Sequence, residues 1–191
     1  NTYRRPAGCA PTPLDRALAV VRRLDHLVPA AGHPVHMPAN IYMRTGDYGA
    51  ALTANAKAAD VDRAYIKETN AEGMYPLMYY NHNLQFGAAS YAMEGRFGQA
   101  KKFADELSAN TSAIAPQMAM VESATASSLM ILLRFGRWAD VLRTPDVTGG
   151  PWSRAFRHFA RGVAFARMGN LDGARSEQKA FASGYEGLSQ D

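Results

Sequence analysis

From Leu14 to the C-terminal segment the apolar residues recur at intervals of three and four, and nowhere do they alternate as in a half-buried strand. Leu14, Leu18, Val21 and Leu24 predict a first helix from Pro13 to about Val28, with the proline at a position where a missing N–H costs nothing. Residues 1–13, with Pro6, Pro11 and Pro13, read as an extended lead-in, and 14–191 as one helical domain. The stretch His33-Pro34-Val35-His36-Met37-Pro38-Ala39-Asn40 carries two prolines four apart. A second proline clashes with the carbonyl four residues back, so the next helix is expected to start near Pro34 or Val35 with a distorted first turn, or only at Pro38. Further helices are expected from Tyr48 to about Lys67, Pro76 to Glu94, Phe97 to Ala109, Pro116 to Phe135, Trp138 to Arg143, Pro151 to Met168 and Leu171 to Ser183. Loops are expected at 69–75 and 144–150.

The breaks between helices share one spelling. Gly46-Asp47-Tyr48, Gly95-Arg96-Phe97, Gly136-Arg137-Trp138 and Gly169-Asn170-Leu171 each place a large apolar residue two after the glycine. A large residue stands four before it (Tyr42, Tyr91, Leu132, Phe165). A small residue follows five after it in three copies (Ala51, Ala100, Ala174). Such internal repetition marks helix pairs that must stack, because one pair cannot bury its apolar face alone.

This pattern resembles the tetratricopeptide repeat family over about residues 33–183, in units near 33–68, 76–109, 116–143 and 151–183. The resemblance implies an all-α, right-handed solenoid of antiparallel helix pairs. It also implies a concave groove lined by the first helix of each unit, which receives a protein or peptide partner. Placed on this chain, the groove positions fall on His33, His36, Asn40 and Arg44 in the first unit, His82 and Gln85 in the second, and Arg134 in the third, with Tyr79 and Phe86 as a facing wall. The stretches His33 to Asn40 and His82-Asn83-Leu84-Gln85-Phe86 are also similar to a group of bacterial tetratricopeptide proteins with His-x-x-His-Met-Pro-x-His and His-Asn-x-His-Phe. They depart from it at Asn40 and Gln85, where amides replace imidazoles.

Two chemistries fit those residues. Arg44, Arg134 and the amides suit a peptide or a small acidic ligand, since guanidinium matches carboxylate in two-point fashion. Alternatively His33, His36 and His82 supply three nitrogens for Zn or Cu, which makes the chain a metal-binding protein or a metal-dependent enzyme. Outside that cluster enzyme signatures are lacking: there is no phosphate-binding glycine loop, nucleophile elbow, Cys–His pair or dinucleotide fingerprint.

Composition narrows this further. The net charge is +4 and the basic residues are scattered, without the patch that a nucleic acid requires. No apolar run reaches the ~18 residues of a membrane span. With Cys9 the single cysteine, no internal disulfide forms, and the cytoplasm and periplasm fit equally. The chain opens on Asn and ends just after a helical pattern, which admits further repeats of a longer parent chain.

Overall fold

A computed structural model describes residues 12–146 and 149–186. The expected lead-in over residues 1–11, Cys9 included, and the centre of the 144–150 loop lie outside the described residues, as does the side chain of His26. The described chain is helical, with no strand among those residues, and no helix in it is long and apolar enough to cross a membrane. In order, the helices are α1 (Pro13–Leu27), α2 (Gly32–Thr45), α3 (Tyr48–Thr69), α4 (Asn81–Met93), α5 (Phe97–Ser112), α6 (Glu122–Thr125), α7 (Ser127–Arg134), α8 (Trp138–Arg143), α9 (Pro151–Arg167) and α10 (Leu171–Glu186).

Local chemistry fixes the boundaries. Thr12 caps α1 by accepting from the Asp15 amide, while the Asp15 carboxylate accepts from the Thr12 N–H. At each of the four repeated turns the glycine has positive φ, at 75°, 73°, 65° and 80° for Gly46, Gly95, Gly136 and Gly169. The next amide then donates to the carbonyl five residues back: Asp47 to Tyr42 at 3.0 Å, and Arg96 to Tyr91, Arg137 to Leu132 and Asn170 to Phe165 at 2.9 Å each. This closes the orphan carbonyls of the preceding helix and needs a left-handed residue, which glycine adopts without a Cβ penalty.

Three expectations are corrected. Helix α2 starts at Gly32 and runs through Pro38. Pro34 falls in the first turn, where no N–H has an intrahelical partner, so Pro38 alone removes a bond. Next, Pro76 does not open a plain α-helix: residues Tyr75–Tyr80 form a π-helical turn, and the Asn81 amide reaches back to the Pro76 carbonyl. Finally, the single helix expected over 116–135 is broken. A 3-10 turn at Ala119–Val121 precedes α6, and α6 and α7 part at Ala126. The Glu122 carbonyl there accepts the Thr125 and Ser153 hydroxyls at 2.7 and 3.2 Å, so the Ala126 amide turns to Ser123 instead.

Successive helices pack on one another along the chain, and α2, α4, α7 and α9 also touch in series; α3, α5, α8 and α10 make no comparable contact with each other. One core gathers Leu52, Leu84, Tyr91, Phe103, Leu107 and Ile131; a second gathers Leu129, Leu132, Val141, Ala160 and Ala164, and Phe97 packs against both. Leu84 and Leu107 are almost wholly buried, each contributing about 2 kcal/mol by removal from water.

Candidate functional site

Helices α2 and α4 run side by side in the same direction, since His36 meets His82 and Met43 meets Ser90 at nearly constant sequence offset. This alignment gathers aromatic and imidazole rings from three elements. His33 and His36 of α2 lie 5.8 and 4.7 Å from His82 of α4, ring centre to ring centre. Tyr79, from the π-helical turn, stands edge-on to His33 at 5.0 Å, and Phe86 lies 4.8 Å from His36 and 4.7 Å from His82. Tyr79 is half-exposed and His33 and His82 are partly so, while His36 is completely buried. The cluster is therefore open on one side and anchored on the other.

The anchor is a chain of buried polar groups. His36 Nδ1 lies 2.6 Å from Asn55 Oδ1 of α3, and Asn55 Nδ2 donates to Ser90 Oγ at 3.0 Å. On its other side, His36 Nε2 faces both Asn40 Nδ2 and His82 Nε2, each at 3.1 Å. Burial, with the neighbouring imidazoles adding to it against the Asn55 hydrogen bond, pushes His36 down to about 4. His82 is lowered in the same direction by burial and by His33. Both rings are thus neutral near pH 7 and offer lone pairs rather than charge.

Beside this chain lies a second buried set. Asp62, without exposure, accepts from the Tyr75 hydroxyl at 2.7 Å and from Asn83 Nδ2 at 2.6 Å. Its carboxylate lies against Gly32 so closely that a Cβ there would come within 2.0 Å of Oδ1. Burial and Asp62 together push Tyr75 up to about 12. Two buried atoms in this region, His33 Nδ1 and Asn83 Oδ1, have no hydrogen-bond partner.

Of the sequence-predicted residues, His33, His36, Asn40, Tyr79, His82 and Phe86 come together. Arg44 and Gln85 are exposed on the same two helices. Arg134 does not join them. It reaches the opposite end of α4, where it donates to the Ala92 carbonyl at 3.4 Å and to Met93 Sδ at 3.0 Å, about 15 Å along the helix from His82. Among the described residues, no group of three or more His, Cys, Asp or Glu side chains stands where it could hold a metal ion. Two cavities, of ≈ 390 Å³ beside Trp138 and Met168 and ≈ 230 Å³ beside Ile66 and Ile114, share no residue with the cluster.

Sequence reasoning passed over Asn55, Asp62, Tyr75, Asn83 and Ser90. A signal was present for the first two. Ala51, Asn55, Ala58, Ala59 and Asp62 follow one helical stripe, and a polar residue on an otherwise small, buried stripe must find a partner. No protein-family model, no curated protein and no solved structure matches this chain, so the reading of the site rests on its own geometry.

Proposed function

We propose that the chain is a tetratricopeptide-like binding module, a right-handed stack of helix pairs whose groove receives a protein or peptide segment. The observation that carries this reading is the wall formed by α2, the π-helical turn and α4, where His33, Tyr79, His82 and Phe86 meet over the buried His36 on a face that is partly open. The serial contact of α2, α4, α7 and α9, and the fourfold spelling of the turn, support a stack whose first helices share one side. Rings of this kind give contact area at low conformational cost, and neutral imidazoles and amides add hydrogen bonds.

Arg44 sets the preference for acidic segments. It is exposed, has no ion-pair partner among the described residues, and lies one helical turn beyond Asn40 on α2. Arg134, already turned to the end of α4, contributes less. Peptides selected from a random library against the full chain are expected to be enriched in Asp or Glu beside an aromatic or aliphatic residue. Fluorescence anisotropy should show their affinity falling at least fivefold in Arg44→Ala and in Tyr79→Ala. If neither substitution weakens any selected peptide, the groove reading is wrong.

A further inference from the structure

We propose that Tyr65, Tyr75 and Tyr79, backed by the buried carboxylate of Asp62, form a site for an alkylammonium group, the chemistry of a lysine side chain. Asp62 has no exposure, and both of its hydrogen bonds come from neutral groups, the Tyr75 hydroxyl at 2.7 Å and Asn83 Nδ2 at 2.6 Å. No Lys, Arg or His among the described residues pairs with it. Asn83, equally buried, leaves its Oδ1 without a donor. A carboxylate and a spare amide oxygen side by side give this corner a surplus of negative charge, which buried surroundings screen weakly.

Over that corner runs a row of rings. Tyr65 and Tyr75 lie 5.0 Å apart at 60°, Tyr75 and Tyr79 5.7 Å apart at 41°, and Tyr79 meets His33 edge-on. At these angles no ring covers the next face to face. Tyr65 and Tyr79 are 42% and 46% exposed, and Tyr75 between them holds Asp62 through its hydroxyl. A phenol face attracts a cation, the more so with a negative charge behind it. The surrounding charges agree. Glu68, one helical turn after Tyr65, and Glu72, in the loop before Tyr75, are both exposed without an ion pair among the described residues. The nearby cations are turned elsewhere: Arg63 holds Glu106 and Asp60, and Lys67, two residues from Tyr65, does not share its face. A carboxylate would be repelled by these groups, whereas an ammonium answers all of them. This deepens the groove reading, on which it rests in sharing Tyr79 and His33. Arg44 lies about 16 Å further along α2, the span of about five extended residues, so one segment can carry an amine at one end and an acid at the other.

The test titrates the full chain with Nα-acetyl-lysine amide and with Nα-acetyl-norleucine amide, which has the same stem without the charge, and follows the tyrosine ring protons by NMR. The lysine amide is expected to shift them saturably, and the norleucine amide to bind at least fivefold more weakly. Affinity for the lysine amide should fall at least threefold in Tyr65→Leu and in Tyr79→Leu, and more in Asp62→Asn, which keeps an acceptor for Tyr75 and removes the charge. Circular dichroism checks each variant's fold; should Asp62→Asn unfold, the two tyrosine variants decide. Equal binding of the norleucine amide, or lysine amide binding indifferent to both tyrosine variants, overturns the site. Arg44→Ala should weaken the selected acidic peptides and leave the lysine amide unchanged, so the groove reading and this one fail separately.

Discussion

The α2–α4 region and the α6–α9 region both bury polar side chains, and they do so to different ends. Between α6 and α9 the set formed by Glu122, Thr125 and Ser153 is closed, and the one buried atom left over on α9, Arg157 Nε, lies outside that set. Glu122 Oε1 accepts from the Ser153 amide at 2.9 Å, in the first turn of α9, and the Ser153 and Thr125 hydroxyls meet at 2.9 Å. A carboxylate from one helix thus satisfies the start of another, whose own N-cap, Gly150, has no side chain to do so. Between α2 and α4 the set is open: His33 Nδ1 and Asn83 Oδ1 are left over, and two nitrogens, Asn40 Nδ2 and His82 Nε2, face the one Nε2 of His36. A buried polar group left without a partner in the chain costs stability unless water or another group completes it.

The comparison breaks most visibly at glycine. Gly32→Ala would drive a methyl into the Asp62 carboxylate, itself pinned by Tyr75 and Asn83, and should destabilise the protein by about 3 kcal/mol in urea unfolding. Gly162→Ala in α9 meets Glu177 Cβ at an ordinary 3.5 Å and should stabilise by about 0.5–1 kcal/mol. Equal effects would mean that the Asp62 cradle is loose and the two regions are not distinct.

Acid should act on the first region through His36. Its folded value of about 4 lies below the ordinary 6.5, so the unfolded chain takes up the proton first. The stability this contributes is complete above about pH 6.5 and is lost as pH falls toward 4. Between pH 7 and 5, above the range where ordinary carboxylates titrate, the loss should be on the order of 2 kcal/mol. His36→Gln should flatten that slope; an unchanged slope would place the titration elsewhere.

Smaller effects come from single hydrogen bonds. Asn55→Leu strands the His36 N–H and removes a donor from Ser90, and should cost about 2 kcal/mol. Ser153→Ala removes only hydroxyl bonds, keeps the amide bond to Glu122, and should cost about 1 kcal/mol. The reverse order would make the α6–α9 set the more critical of the two.

Much of the scaffold was legible in the sequence, because helix ends are written locally. The turn glycines, the residue four before each and the large residue two after them sit within one or two helical turns of one another, so their chemistry needs no distant partner. Pro34 and Pro38 misled because the penalty for proline depends on its place relative to the helix start, which was itself unknown. The break at Ala126 escaped notice for a different reason. Ser153, 31 residues beyond Glu122, shares the carbonyl that would otherwise have continued the helix.

By itself the sequence determined that the chain is helical, where its glycine turns fall, and that His33 and His36 share one helix while His82 lies on another. Only tertiary structure decided that these imidazoles meet, that Asn55 sets the tautomer of one of them, and that Arg134 is drawn to the far end of α4. Helical periodicity fixes which face a residue occupies, and so it reads from a few neighbours. Contact between faces depends on how helices far apart in the chain settle against each other, and the side chains buried there, Ala39, Ala88, Leu84 and Phe103 among them, come from three different helices rather than from one local pattern.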